Sequence, residues 1–276
     1  MNAAFQALCA RLSAAGVPDA RFDAAELYRF VTRREPRLDS GLSPDEAARL
    51  AALADRRAAR EPLQYILGEW DFMDFTLKVG AGVLCPRADS EVVCEAAIEL
   101  LQNTPSPVVY DLCAGTGCLG LGIARHVPGS AVTCVEKSPD AWRYLTANTA
   151  GTSVRAVQAD VFTYYKGLPQ AGADLIISNP PYLTGQEMGE LMPETACEPA
   201  MALDGGADGL DFYRLLTARY RDALRPGGWL VLEIGCAQAA DVLALGQAHG
   251  WVNGSCRKDY GGNDRAVLLQ NPEKIP

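Results

Sequence analysis

Val108-Val109-Tyr110-Asp111-Leu112-Cys113-Ala114-Gly115-Thr116-Gly117 is an apolar, β-branched run that ends in a glycine turn, and Cys118 to His126 continues at helical spacing. Strand, tight turn and helix together form the unit from which open parallel sheets are built. Glycine lets the backbone approach a ligand where a Cβ would collide, and the first turn of the helix leaves N–H groups free to donate. Ligands of such sheets bind at the carboxyl ends of the strands, so this loop is read as a cofactor site.

Working outward, the same rhythm repeats. Helical spacing over Val92–Leu101 precedes the loop, and further apolar strands fall at Ala131–Glu136, Val154–Gln158, Asp174–Ser178 and Trp229–Ile234. A last helix near Ala237–His249 leads to Trp251–Cys256 and Arg265–Leu269, which flank the turn-rich Asp259-Tyr260-Gly261-Gly262-Asn263 and are expected to close one sheet edge as an antiparallel pair. The expected fold class is α/β, with a seven-stranded Rossmann-like sheet over residues 90–276. Trp70 and Phe72, then Phe75, Leu77 and Val79, alternate at period two around Met73-Asp74, which predicts a linking β-hairpin over 69–89. Residues 1–68 are rich in Ala, Leu, Arg and Glu. There Ser43-Pro44-Asp45-Glu46 reads as a helix start and Glu61-Pro62 as a stop, so a small helical domain is expected.

A chain of 276 residues with 49% hydrophobic and 21% charged residues is long enough for one full core and a small second domain. The 34 Asp and Glu against 25 Lys and Arg give a net charge of -9, which argues against a protein that binds phosphate backbones. Nine cysteines without a C-x-x-C pair, beside only His126 and His249, argue against a zinc site and for reduced thiols. No signal peptide is expected from Met1–Ala15, where Gln6 and Arg11 break the apolar stretch, and no run reaches membrane-spanning length. A cytoplasmic protein, monomeric by preference and without metal or membrane, is the expectation.

Gly115, Gly117 and Gly120 also satisfy a dinucleotide-binding pattern, with Glu136 at the place of a ribose-binding acid, so the loop by itself leaves the cofactor open. Asp111, Glu136 and Asp160 each lie at the end of a successive strand. Three carboxylates there suit the cationic sulfonium of S-adenosylmethionine better than a pyrophosphate. Asp160 has a second reading as a helix N-cap.

The run Asp174-Leu175-Ile176-Ile177-Ser178 passes straight into Asn179-Pro180-Pro181-Tyr182. Two prolines cannot continue a central strand and restrict the residues before them, so the tetrad leaves the sheet stiffly at a strand end. A planar NH2 group is a poor nucleophile because its lone pair is delocalised. The side-chain oxygen of Asn179 and the carbonyl of Pro180 can each take one of its N–H bonds and favour the pyramidal nitrogen that attacks a methyl group. Tyr182 is placed to stack on the planar group or line the methyl path. Positioning then supplies the acceleration without a strong base. The residues leave glutamine and adenine both open as acceptors. A regulator that binds a cofactor without catalysis, or a dinucleotide-dependent oxidoreductase, stands as a reading from a different class.

Beyond the tetrad, the chain carries Pro62-Leu63-Gln64-Tyr65-Ile66-Leu67-Gly68, Pro86-Arg87 with Ser90-Glu91, Glu198-Pro199 with Ala202-Leu203, Asp208-Gly209-Leu210 and Leu232-Glu233-Ile234-Gly235. In these segments it resembles the glutamine-N5 methyltransferases of peptide chain release factors, the HemK/PrmC type, over nearly its full length and least over residues 1–60. The resemblance implies S-adenosylmethionine as cofactor and the glutamine of a Gly-Gly-Gln loop as substrate. It also implies that Cys113, Ala114, Gly115, Thr116, Gly117 and Glu136 contact the cofactor, that Val161 borders its adenine, that Asn179 to Tyr182 hold the glutamine amide, and that the helical domain grips the protein substrate. The chain departs from the family where Pro often follows the Pro-Arg pair (here Ala88), where Thr often precedes Glu (here Ser90), and where an aromatic residue often follows Asp160 (here Val161). Adenine-N6 methyltransferases of DNA or RNA share the tetrad and glycine loop and are the alternative.

Overall fold

Ser43 shows how the N-terminal helices are locally encoded. Its hydroxyl accepts from the Glu46 N–H at 3.2 Å, and the Glu46 carboxylate accepts from the Ser43 N–H at 2.8 Å, a reciprocal capping box that starts the helix Pro44–Ala58. Leu50 and Ala54 of that helix pack with Phe5, Leu12, Leu27 and Tyr28 of the helices Ala3–Ala14 and Ala20–Thr32. Leu12 and Leu27 are fully buried, each worth roughly 2 kcal/mol relative to exposure, so shared burial holds these short helices together more than their intrinsic propensity does. The computed structural model describes residues 3–37 and 41–273. The parts of the expected segments 1–68 and 90–276 at residues 1, 2, 38–40 and 274–276 lie outside the described residues.

The short helix Leu63–Leu67 ends at Gly68, whose φ of 78° turns the chain into β1 (Glu69–Phe72) and β2 (Phe75–Lys78), an antiparallel pair in which Phe72 faces Phe75. Phe72 and Leu77 are each 1% exposed and pack into the core of the sheet domain, so the hairpin is anchored by its apolar face.

Seven further strands form one sheet: β3 (Val108–Leu112), β4 (Ala131–Glu136), β5 (Arg155–Gln158), β6 (Ala173–Ser178), β7 (Leu224–Glu233), β8 (Val252–Lys258) and β9 (Asp264–Gln270). Their order is β5-β4-β3-β6-β7-β9-β8, parallel from β5 to β7, with β9 antiparallel to both β7 and β8. Alternate residues point to opposite faces, so Val109, Leu175 and Val231 enter one core and Leu112, Ile176 and Leu230 the other. This is the expected α/β sheet with its antiparallel edge. Two elements are longer than their apolar pattern suggests. The helix Ala88–Leu101 begins four residues before Val92 because its first turn is polar, with Ser90 buried for reasons given below, and the 89/90 division expected from sequence falls inside that turn. Strand β7 begins at Leu224 instead of Trp229, since a register shift between Ala173 and Leu175 accommodates Pro226-Gly227-Gly228.

The sheet reverses direction of growth between β3 and β6. These strands pair in register, Leu112 beside Ser178, and the Ser178 hydroxyl donates to the Leu112 carbonyl at 2.6 Å. The loops that follow them, the glycine turn and the Asn-Pro-Pro-Tyr tetrad, therefore emerge side by side at the switch point. All nine cysteines are free thiols, and no helix among the described residues is long and apolar enough to cross a membrane.

Candidate active site

The glycine turn holds an unusual backbone path. Cys113, Gly115 and Gly117 take φ values of 59°, 56° and 83°, and the loop is pinned by the Ala114 N–H donating to the Val135 carbonyl at 3.0 Å and the Gly117 N–H donating to Ala114 at 2.7 Å. A Cβ on Gly117 would lie 2.7 Å from Leu145 Cδ1, so glycine is required there for both its torsion and its packing. Beside the turn opens a cleft of ≈ 990 Å³ including its mouth, lined on one side by Cys113, Ala114, Gly115 and Thr116 and on another by Glu136, Asp160 and Val161. Asn179 and Pro181 close it from the tetrad side.

Glu136 ends β4 and is 9% exposed. One carboxylate oxygen accepts from the Gly115 N–H at 2.8 Å and the other from the Ser138 N–H at 2.6 Å. Among the described residues no cationic side chain pairs with it, so it presents its remaining lone pairs and its charge to the cleft. Asp160 is arranged otherwise. It caps the short helix Val161–Tyr164 by accepting from the Phe162 N–H at 2.9 Å, and Lys137 Nζ sits 2.9 Å from its other oxygen. Burial pushes its carboxyl up, but Lys137 and the Phe162 N–H outweigh that and hold it below the usual range.

Asp111 corrects the sequence reading. It is wholly buried in β3, outside the cleft lining, with one oxygen accepting from the Gly120 N–H at 2.9 Å and the other without a hydrogen-bond partner. Desolvation pushes its carboxyl up to about 7, against the pull of the Gly120 N–H. The residue anchors the helix Cys118–His126 from beneath, because odd-numbered positions of β3 point away from the cleft. The expected trio of cofactor-facing carboxylates is thus reduced to Glu136 with Asp160 paired beside it. Gly117, Pro180 and Tyr182 are likewise absent from the lining.

Val161 is 5% exposed in the cleft wall, and Phe162, 42% exposed, supplies the aromatic surface one position later than the resemblance leads one to expect. Its ring meets Phe212 edge-on, with centroids 5.2 Å apart. Sequence reasoning missed Phe162 and Phe212, since one exposed aromatic in an amphipathic stretch carries no signal. The mouth is tied by Glu198, which is 6% exposed and accepts from the Cys85 N–H at 3.1 Å and from Arg87 at 2.6 Å. Two segments far apart in sequence, Pro86-Arg87 and Glu198-Pro199, are joined by that carboxylate.

In the tetrad, Asn179 turns its Nδ2 back toward the Ser90 hydroxyl at 3.4 Å, and Ser90 donates to Glu233 at 2.6 Å. Burial pushes the Glu233 carboxyl up to about 7, opposed first by the Ser90 bond. The Tyr182 carbonyl accepts from Gln238 Nε2 at 3.0 Å, and burial raises its phenol to about 12. The donor set fits S-adenosylmethionine. A half-satisfied carboxylate suits two hydroxyls, an apolar wall with an aromatic edge suits a purine, and a glycine turn admits a chain beside the backbone.

Two family models match the chain: the PrmC N-terminal domain over residues 3–68 and the methyltransferase small domain over residues 76–206. A release factor glutamine methyltransferase of Geobacter sulfurreducens is 40% identical over 233 residues, covering 83% of this chain and 80% of that protein. One of Moorella thermoacetica is 37% identical over 274 residues, covering 96% of each. The crystal structure of a release factor-specific protein-(glutamine-N5) methyltransferase from Alicyclobacillus acidocaldarius is 29% identical, with a TM-score of 0.45 over 71% of this chain and 99% of that one. The chain belongs to the release factor glutamine methyltransferase family.

Proposed function

We propose that this chain transfers a methyl group from S-adenosylmethionine to the side-chain amide nitrogen, N5, of the glutamine in the Gly-Gly-Gln loop of peptide chain release factors, in the reducing cytoplasm. The observation that carries this reading is the orientation of Asn179. Its Nδ2 is engaged by Ser90, so its Oδ1 is the atom left to meet a substrate N–H at the cleft.

When bound, S-adenosylmethionine supplies an electrophilic methyl group on a sulfonium. Glu136 holds the ribose hydroxyls through the lone pairs that its two backbone bonds leave, and Val161 with Phe162 borders the adenine. Asn179 Oδ1 and the Pro180 carbonyl each accept one N–H of the glutamine amide, which fixes the nitrogen and favours its pyramidal form. Pro180 and Pro181 stiffen that acceptor pair, and Tyr182 behind them is held by the bond from Gln238 to its carbonyl. The net charge of -9 favours a protein substrate over nucleic acid.

The test is methyl transfer from labelled S-adenosylmethionine to purified release factor. Label on the Gly-Gly-Gln glutamine, and none when that glutamine is replaced, is expected. An unlabelled factor, or label transferred instead to DNA adenine, overturns the reading.

A further inference from the structure

The amide of Asn179 can serve as an acceptor only if its oxygen and not its NH2 faces the substrate, and a primary amide has two orientations of nearly equal shape. Something must choose between them. Asn179 follows β6 directly, and β6 pairs with β7 so that Ser178 lies beside Leu232. The next residue of each strand brings Asn179 and Glu233 alongside one another at the end of the sheet. Between them stands Ser90, 2% exposed, from the first turn of the helix Ala88–Leu101. Its Oγ is 2.6 Å from Glu233 Oε2 and 3.4 Å from Asn179 Nδ2.

A serine hydroxyl has one proton and two lone pairs. With Glu233 ionised, the serine gives its proton to it over the short contact, and only lone pairs remain to face Asn179, which select the NH2 side of the amide. Glu233 is 2% exposed and its Oε2 lies closer to the serine than the Asn179 amide does, so it is the partner that takes the serine proton. Three elements distant in sequence, residues 90, 179 and 233, thus make one directional hydrogen-bond chain that ends at the cleft.

We infer that Ser90 and Glu233 are positioning residues that fix the amide of Asn179 with Oδ1 toward the substrate. This rests on the glutamine methyltransferase reading. Ser90 lines the cleft and Glu233 lies behind it, and each acts on Asn179 through the next hydrogen bond. Loss of the serine hydroxyl frees the amide to rotate, and the rotated form offers donors to a substrate that itself donates.

The experiment compares wild type, Ser90→Ala, Ser90→Thr and Glu233→Gln for kcat and KM on purified release factor, with S-adenosylmethionine affinity by calorimetry. Expected are a kcat lowered roughly 10- to 100-fold in Ser90→Ala with cofactor affinity within about 3-fold, and recovery to within about 3-fold of wild type in Ser90→Thr, which keeps the hydroxyl. Glu233→Gln, whose amide can donate to the serine as well as accept, falls between. The inference is overturned if Ser90→Ala keeps its kcat, if Ser90→Thr is as impaired as Ser90→Ala, or if cofactor affinity falls in step with turnover. A wild-type enzyme that labels no release factor overturns the underlying reading instead, whatever the variants do.

Discussion

Arg57 and Glu194 meet at 2.7 Å between the helical N-terminal part and the segment that follows the tetrad. Arg57 is 4% exposed and also bonds Asp23 at 2.6 Å, while Arg60 grips both oxygens of Glu194 at 2.6 Å. Burial pushes the Glu194 carboxyl up, but the bonds from Arg60 and Arg57 outweigh it and bring the group down to about 2. A carboxyl with a depressed folded value stabilises the fold fully above its unfolded value near 4.5, and that stabilisation is lost as pH falls toward 2. Glu194→Gln is expected to destabilise the protein by about 1–3 kcal/mol at neutral pH. Its melting temperature should also depend less on pH between 4.5 and 2 than that of wild type, read from thermal unfolding of both at matched pH.

Asn179→Ala removes the acceptor at the cleft. Turnover should fall by roughly 10²–10³-fold or more, the scale set by losing one preorganised hydrogen-bonding group, while S-adenosylmethionine affinity stays within a few-fold. Single-turnover methylation and calorimetry read the two effects separately, and unchanged turnover would take Asn179 out of the chemistry.

Glu136→Ala should act on the opposite side. Losing a charged acceptor of two hydroxyls weakens S-adenosylmethionine binding by about 10- to 100-fold. Part of that loss comes from the Gly115 and Ser138 N–H groups, which the same carboxylate now holds. Equal affinity of wild type and variant in a titration would contradict the assignment.

Gly205 supports the tetrad from outside the cleft. A Cβ there would lie 2.6 Å from Tyr182 Cα and 2.9 Å from the Pro181 carbonyl oxygen, both backbone atoms that cannot swing aside. Gly205→Ala is expected to displace the tetrad and reduce kcat at least about 10-fold, with S-adenosylmethionine affinity changed less than turnover. A variant with wild-type kcat would show that the tetrad tolerates the shift.

Much of the fold was legible because it is local. Alternating helix and strand periods, the Ser43 capping box and the proline pair after Ser178 are each written within a few residues, and the strands and helices formed close to where those patterns place them. The glycine turn and the tetrad were legible as rigid strand-end segments beside a cleft for the same reason: Gly117 and the two prolines constrain backbone torsions that depend on their own chemistry. Strand β7 looks shorter in the sequence because Pro226-Gly227-Gly228 breaks the apolar pattern, and only its pairing with β6 shows that the strand continues across it.

What sequence alone determined, then, is the class of sheet and the places of the glycine turn and of Asn179-Pro180-Pro181-Tyr182, for which the cofactor contacts and planar-nitrogen chemistry are proposed. Tertiary structure decided which carboxylates serve the cleft, because burial and partner choice depend on residues far away in the chain. Asp111 points beneath a helix, Asp160 is paired with Lys137, and Glu136 alone of the three keeps an unpaired charge toward the cleft. It likewise brought Ser90 and Glu233 to Asn179, since the direction of a hydrogen bond is set by which atoms the packed elements place within reach.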